Sequence, residues 1–407
     1  MTISSTDQSK QLESTSRGGQ HLARGRWLAC VRGAALSSLA LLLECPSLLA
    51  AAAEVPSNEQ DLTPLLPVWN HFYNLTAGVG YKDNILLASR AKEASSFASI
   101  AGDFTLWKRP AEDGHELQLG ISANDRRYLA NRTMDHEHVF VGHARYLGRL
   151  SERWQWIADF DAAYFDQVLD VTILETQINR QRLKQFSIGG GPGLRYQVGK
   201  RSWLEFTPIV SRSWLEEPFD SYNELGGQLS FLQSYGTRSE WRLEFAGRQR
   251  EYDTRRQSTL DGFAQPGTSL RYRRENLQWI NRHYFDAARR WRLETRIKGL
   301  VSSDNGSGYY DYWSTGFSER LEIKLRHWEF RLEAGYTFYH FPSQHVGSPT
   351  STIERTREDL TALIRVDRLI NSQWRIFGEF NHERALAIDP LETFSANTVW
   401  FGVSWDY

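Results

Sequence analysis

Charged residues in this chain recur two positions apart. Arg292, Glu294, Arg296 and Lys298 form one such row; Arg320, Glu322 and Lys324 form a second; Glu329, Arg331 and Glu333 form a third. Arg365 and Asp367, then Arg375 and Glu379, continue the pattern. The intervening positions are apolar: Trp291, Leu293 and Ile297; Phe317, Leu321 and Ile323; Phe330, Leu332 and Ala334; Ile364 and Val366; Trp374 and Ile376. A period of two puts all the charges on one face of a strand and all the apolar groups on the other. Two chemistries suit such rows. One is a ladder of Arg–Glu pairs that stiffens a wall. The other is a charged lining that selects solutes, as rings of charge do in pores. The mixture of signs argues against a strong preference for either anions or cations.

Other candidates are weaker. Ser187 to Gly193 is glycine-rich but lacks the Lys-Ser/Thr ending of a phosphate-binding loop; glycines in a strand more commonly permit kinking and close approach. His136 and His138 share a strand face, a spacing that begins some metal sites, yet no HExxH completes it and Asp135 beside them points to a solvated rim. Ser187, Ser230 and His283 have no nucleophile-elbow context. Tyr309, Tyr310, Tyr312 and Trp313 would form either a sugar-stacking platform or part of an aromatic belt. No catalytic residue, metal site or cofactor is assigned, and no enzyme is expected.

The elements that carry the charged rows are strands. From Trp69 onward the chain repeats one design: an alternating segment of about ten residues, a short turn, a second such segment, then a longer polar loop. Segments begin near residues 70, 96, 115, 137, 154, 184, 203, 224, 240, 270, 290, 312, 328, 355, 374 and 396. The pattern predicts about sixteen strands, with fourteen to eighteen open, and outer loops that include 82–94, 253–268, 304–311 and 342–353. Trp154, Trp203, Trp241, Trp291, Trp328 and Trp374 recur at intervals of 37 to 50 residues at the starts of alternate strands. Indole favours the membrane–water boundary, so these six predict an aromatic girdle. A soluble propeller also repeats aromatics, but its blades hold four strands per repeat rather than two.

Composition permits a membrane barrel and excludes a helical membrane protein. After residue 54 no apolar run approaches the roughly 20 residues a membrane helix needs. A barrel tolerates 41% hydrophobic content because lumen-facing residues dilute the lipid-facing ones. A charge facing mid-bilayer lipid costs roughly 2–4 kcal/mol for Arg or Lys, so the charged rows must face a hydrated interior. Lys and Arg (48) balance Asp and Glu (49), which excludes a nucleic-acid binder. Residues 1–53 have a basic start, an apolar middle and a small-residue exit, the secretory pattern; residues 54–68 form a periplasmic lead-in and 69–407 the barrel. Both cysteines, Cys30 and Cys45, fall in the first segment, so the barrel carries no thiol chemistry.

The last residues alternate strictly. Phe401, Val403, Trp405 and Tyr407 share one face and end the chain on an aromatic. Ala77 to Leu87, a glycine–aromatic strand running into Asp83, Asn84 and aliphatics, opens the repeat. Together the two ends resemble bacterial outer-membrane β-barrels of the putative β-barrel porin type. The resemblance implies an all-β transmembrane antiparallel up-and-down barrel after a cleaved signal peptide, located in the bacterial outer membrane. It also implies that Phe401, Val403, Trp405 and Tyr407 act as an assembly signal. The implied partners are outer-membrane lipid, the barrel assembly machinery, and small polar solutes or a polysaccharide; homotrimers are common among porins. The function expected first is passive diffusion of small hydrophilic solutes through a mixed-charge lumen. Alternatives are export or binding of an acidic exopolysaccharide, and an outer-membrane lipid-modifying hydrolase.

Overall fold

The computed structural model describes residues 69–407 except 109–113, 131–133, 171–179 and 349–350, so the expected leader and lead-in lie outside the described residues. The sixteen strands are β1 (Trp69–Lys82), β2 (Ser95–Lys108), β3 (Glu116–Tyr128), β4 (His136–Arg149), β5 (Trp154–Asp170), β6 (Arg180–Gly199), β7 (Ser202–Leu215) and β8 (Tyr222–Tyr235), followed by β9 (Ser239–Tyr252), β10 (Arg271–Tyr284), β11 (Trp291–Asp304), β12 (Tyr312–Lys324), β13 (Trp328–Ser348), β14 (Ser351–Leu369), β15 (Trp374–Ala387) and β16 (Phe394–Asp406). Each pairs with its sequence neighbour, and β1 pairs with β16 to close the barrel. Every strand begins within four residues of its sequence-based expectation.

Closure removes the exposed strand edges that lipid cannot satisfy. The last residue takes part: Tyr407 and Tyr73 exchange two backbone hydrogen bonds of 2.9 Å. Phe401, Val403 and Tyr407 are exposed on the outer face of this seam.

Most of one predicted loop is strand. Residues 342–348 and 351–353 belong to the β13–β14 pair, with Gly347 opposite Thr352, and a bulge between Phe341 and His345 shifts the register. Pro342 falls inside that bulge, where a missing N–H breaks no ladder bond. The glycine-rich stretch of β6 behaves as glycine in a strand does. β6 and β7 pair up to Gly190 and Val210 and resume only at Leu194 and Phe206. Pro192 and Pro208 lie in the gap, and Gly190 has φ 152°; a Cβ there would meet the Asp159 carbonyl oxygen at 2.1 Å.

Exposed apolar residues mark the outer face. On β11 they are Trp291, Ile297 and Val301; on β13, Trp328, Leu332 and Tyr336; on β15, Trp374, Ile376 and Phe380. Ile297→Arg is expected to cost about 2–4 kcal/mol of folding free energy in lipid vesicles. Ser318→Arg, on the inner face of β12, is expected to be tolerated. A denaturant titration of both variants in vesicles measures the difference.

Buried apolar residues form clusters at the loop end. In one, Ile85 and Leu87 of the β1–β2 loop pack with Phe97, Tyr128, Phe377, Phe394 and Trp400. Asn84 holds that loop, donating to the carbonyls of Ala88 (2.8 Å) and Ser395 (2.9 Å). Because Phe97, Phe377 and Trp400 lie on inner faces, this loop folds into the barrel mouth. In the second, Tyr222, Tyr252, Leu270, Tyr272 and Tyr310 pack together.

Candidate functional site

The register sets charges opposite one another across the inner wall. Arg292 faces Glu322 and Glu294 faces Arg320 between β11 and β12. Arg320 faces Glu333, Glu322 faces Arg331 and Lys324 faces Glu329 between β12 and β13. Arg365 faces Glu379 between β14 and β15. Opposite charges in such cross-strand positions contribute roughly 0.2–1 kcal/mol each.

Many of these pairs close. Arg320 Nε lies 2.8 Å from Glu333, and Arg365 grips Asp367 at 2.9 Å while reaching Glu379 at 3.4 Å. Arg292 bonds Glu322. Arg375 donates to Asp406 Oδ2 through Nε (2.8 Å) and reaches Glu329 at 3.2 Å. Glu294, only 2% exposed, takes Arg282 at 2.9 Å and Arg296 at 2.5 Å.

All fourteen charged residues singled out from the sequence share the face opposite the exposed apolar one. Glu322, Lys324, Glu329, Arg331, Arg365, Asp367 and Arg375 line an interior cavity of about 420 Å³. Its other side is formed by Asn74, Thr76, Asp103, Ser122 and Asn124 of β1 to β3. The walls therefore differ: the β1–β3 side is mostly neutral and polar, whereas the β12–β15 side is laced with ion pairs.

The sequence pattern also held charges that were not singled out. Arg242, Arg248, Arg250, Arg274 and Arg282 face inward on β9 and β10, so β9 to β12 form a predominantly basic sector. Their signal was present, since Arg242 and Glu244 alternate with Trp241, Leu243 and Phe245. Glu319 departs from the pattern. It shares the outer face with Phe317 and Leu321, and Thr295 Oγ1 donates to its carboxylate at 2.9 Å.

One girdle residue is placed wrongly by the sequence reading. Trp154, Trp241, Trp291, Trp328 and Trp374 lie on the outer face at the turn end. Trp203 lies on the inner face, with the Arg195 guanidinium 4.4 Å from its ring. The reason is parity: Trp203 shares a face with Glu205, which Arg145 binds at 2.7 Å, whereas the other five share a face with aliphatics or aromatics.

The remaining candidates do not assemble. His136 and His138 face outward at the loop-end rim beside Asp135, Asp125, Asp166 and Arg182, and no metal-holding group occurs among the described residues. Ser187 and Ser230 point inward while His283 points outward. His283 pairs instead with Ser239 Oγ at 2.6 Å. Among the described residues no carboxylate reaches His283, so this pair lacks the acid that orients a hydrolytic dyad. Tyr310 and Tyr312 are buried, and therefore offer no open stacking platform.

Outside the membrane span, two acids anchor connections. Asp286 accepts from the backbone of Arg290 (2.7 Å) and Trp291 (3.1 Å). The Arg290 guanidinium holds its carboxyl below the usual range. Asp253 is lowered similarly by the hydrogen bonds from Arg212.

An apolar, aromatic-rimmed exterior around a charged interior is the wall of a transmembrane β-barrel of the bacterial outer-membrane type. No protein-family model and no curated protein matches the sequence. Among solved structures, the chain is similar to OccAB1 of Acinetobacter baumannii, with 8% identity, 86% of this chain and 100% of that one covered and a TM-score of 0.45. It is similar to a BenF-like porin of Pseudomonas fluorescens Pf-5, with 8% identity, 83% and 99% covered and a TM-score of 0.45. It is also similar to a structure described as a bacterial polysaccharide outer membrane secretin, with 8% identity, 83% and 97% covered and a TM-score of 0.39. The fold rests on the sixteen paired strands themselves.

Proposed function

We propose that the barrel is an outer-membrane channel through which small hydrophilic solutes diffuse. The observation that carries this reading is the predominantly charged and polar inner wall, surrounding an interior cavity inside an apolar shell. A sixteen-strand barrel is wide enough to hold an aqueous passage. The wall works by sieving and by its field, without covalent chemistry. The inward-folded β1–β2 loop narrows the mouth and sets the size limit. Purified protein in a planar bilayer is expected to give discrete, ohmic current steps, and deleting residues 85–93 is expected to raise the conductance of each step. Correctly folded protein that inserts without passing current would contradict the channel reading.

A further inference from the structure

The two rims of the barrel handle charge differently. At the loop end, outward-facing arginines hold carboxylates. Arg182 lies 2.5 Å from Asp166, Arg212 2.5 Å from Asp253, Arg271 2.8 Å from Glu251 and Arg273 2.6 Å from Glu275. The turn end is built otherwise. Its turns at 150–153, 200–201, 236–238, 285–290, 325–327 and 370–373 carry seven Lys and Arg against two acids, Glu152 and Asp286. The β2–β3 turn lies largely outside the described residues. Asp286 is taken by Arg290 at 2.7 Å. Arg153, Lys200, Arg201, Arg238, Arg289 and Arg326 are all exposed, and among the described residues none has a carboxylate within ion-pair distance.

These cations form a connected arc at one depth. Arg201 donates to the Gly236 carbonyl of the next turn at 2.6 Å, and Arg238 reaches the Phe285 carbonyl of the turn after it at 3.4 Å. Each bond uses one of a guanidinium's five N–H groups and leaves the others for an outside acceptor. The depth follows from the tryptophans. Arg153 directly precedes Trp154, Arg238 lies three residues before Trp241, and Arg289 and Arg326 lie two before Trp291 and Trp328. Those four indoles are on the outer face. Indole marks the membrane–water boundary, so the cations sit just beyond it, in the layer of lipid phosphates. Unneutralised like charges around a rim repel one another, and the loop end shows that this chain pairs its cations where no outside anion is needed.

We propose that this arc binds the phosphate headgroups of anionic phospholipids in the periplasmic leaflet. The guanidiniums grip phosphate oxygens through paired N–H groups, and Lys200 adds a point charge. The acyl chains of the same lipids lie against the apolar outer wall beyond the girdle. The lipid supplies the negative charge that the turns lack. A lipid fits better than a soluble polyanion because the cations flank the outward-facing tryptophans.

The test uses the barrel folded in phosphatidylcholine vesicles that contain brominated phosphatidylglycerol or brominated phosphatidylcholine. Quenching of the girdle tryptophans gives the relative affinity of the two lipids. At low salt the wild type is expected to prefer phosphatidylglycerol by about fivefold or more. The combined variant Arg153→Gln, Arg201→Gln, Arg238→Gln, Arg289→Gln and Arg326→Gln should bring the preference close to unity. Lys at the same five positions should keep most of it. Gln retains an N–H for the Gly236 and Phe285 carbonyls, and heat-modifiable migration checks that the variant folds. Arg212→Gln/Asp253→Asn, which neutralises a loop-end pair, should leave the preference unchanged. High salt should abolish it in the wild type, and this arm decides the matter if the Gln variant does not fold. No preference at low salt overturns the lipid arc. So does a preference that survives the Gln variant or high salt, or one lost in the loop-end variant. Binding of soluble dextran sulfate without any preference for phosphatidylglycerol would overturn it in favour of a polyanion. None of these readouts depends on current through the barrel.

Discussion

Gly402→Val is expected to abolish barrel closure. Gly402 and Gly78 lie directly opposite each other across the β1–β16 seam. A Cβ on Gly402 would sit 2.2 Å from the Ala77 carbonyl oxygen and 2.8 Å from the Gly78 Cα; one on Gly78 would sit 2.4 Å from the Phe401 carbonyl oxygen. These are backbone atoms, so no rotamer change relieves the overlap and the strands must part. A parted seam leaves unpaired N–H and C=O groups facing lipid, each costing several kcal/mol. The folded, heat-modifiable fraction recovered in vesicles should fall to near zero. Gly299→Ala, where no atom lies within 4 Å of the added Cβ, should fold like the wild type. Normal recovery of Gly402→Val would show that the seam does not close through this glycine pair.

Glu294→Ala is expected to cost about 3 kcal/mol, near the lower end of what breaking a buried ion pair costs. Its carboxylate is almost wholly buried and serves two guanidiniums. After the substitution Arg282 keeps Glu240 at 2.5 Å, while Arg296 loses the carboxylate it grips. Water in the lumen softens the loss, which is why the lower figure applies. Denaturant unfolding in vesicles measures it. The same variant should shift the ion preference of the channel toward anions, because it removes a negative charge from an already basic sector. A variant as stable as wild type would show that this part of the ladder does not hold the wall together.

Strand positions and the polarity of each face were legible in the sequence because the period of two is strict wherever a wall separates lipid from water. Arg292 to Lys298 could point nowhere but inward. What failed was locally ambiguous. Trp203 was grouped with the other tryptophans by its place after a turn, although Glu205 two residues on already fixed its face. Residues 342–353 carry Pro342, Gly347 and Pro349, residues that signal a loop, yet a bulge accommodates Pro342 and the ladder resumes at His345. Glu319 has no readable mark, because its tolerance on the outer face depends on Thr295, a partner on another strand. The division of the lumen into a basic sector and a neutral polar wall was equally hidden. Sequence shows the mixture of signs, and only the order of strands around the barrel shows their segregation.

The central claim is that alternate residues face lipid and an enclosed aqueous interior. It is tested most directly by single cysteines placed at each position of 291–302 on β11, in protein lacking residues 1–53 and hence both native cysteines. A membrane-impermeant maleimide applied to the barrel in vesicles should label positions 292, 296, 298 and 300, leave the buried inner positions 294 and 302 slow to react, and spare the odd ones between the interfaces. Uniform labelling, or labelling of the odd positions alone, would contradict the account.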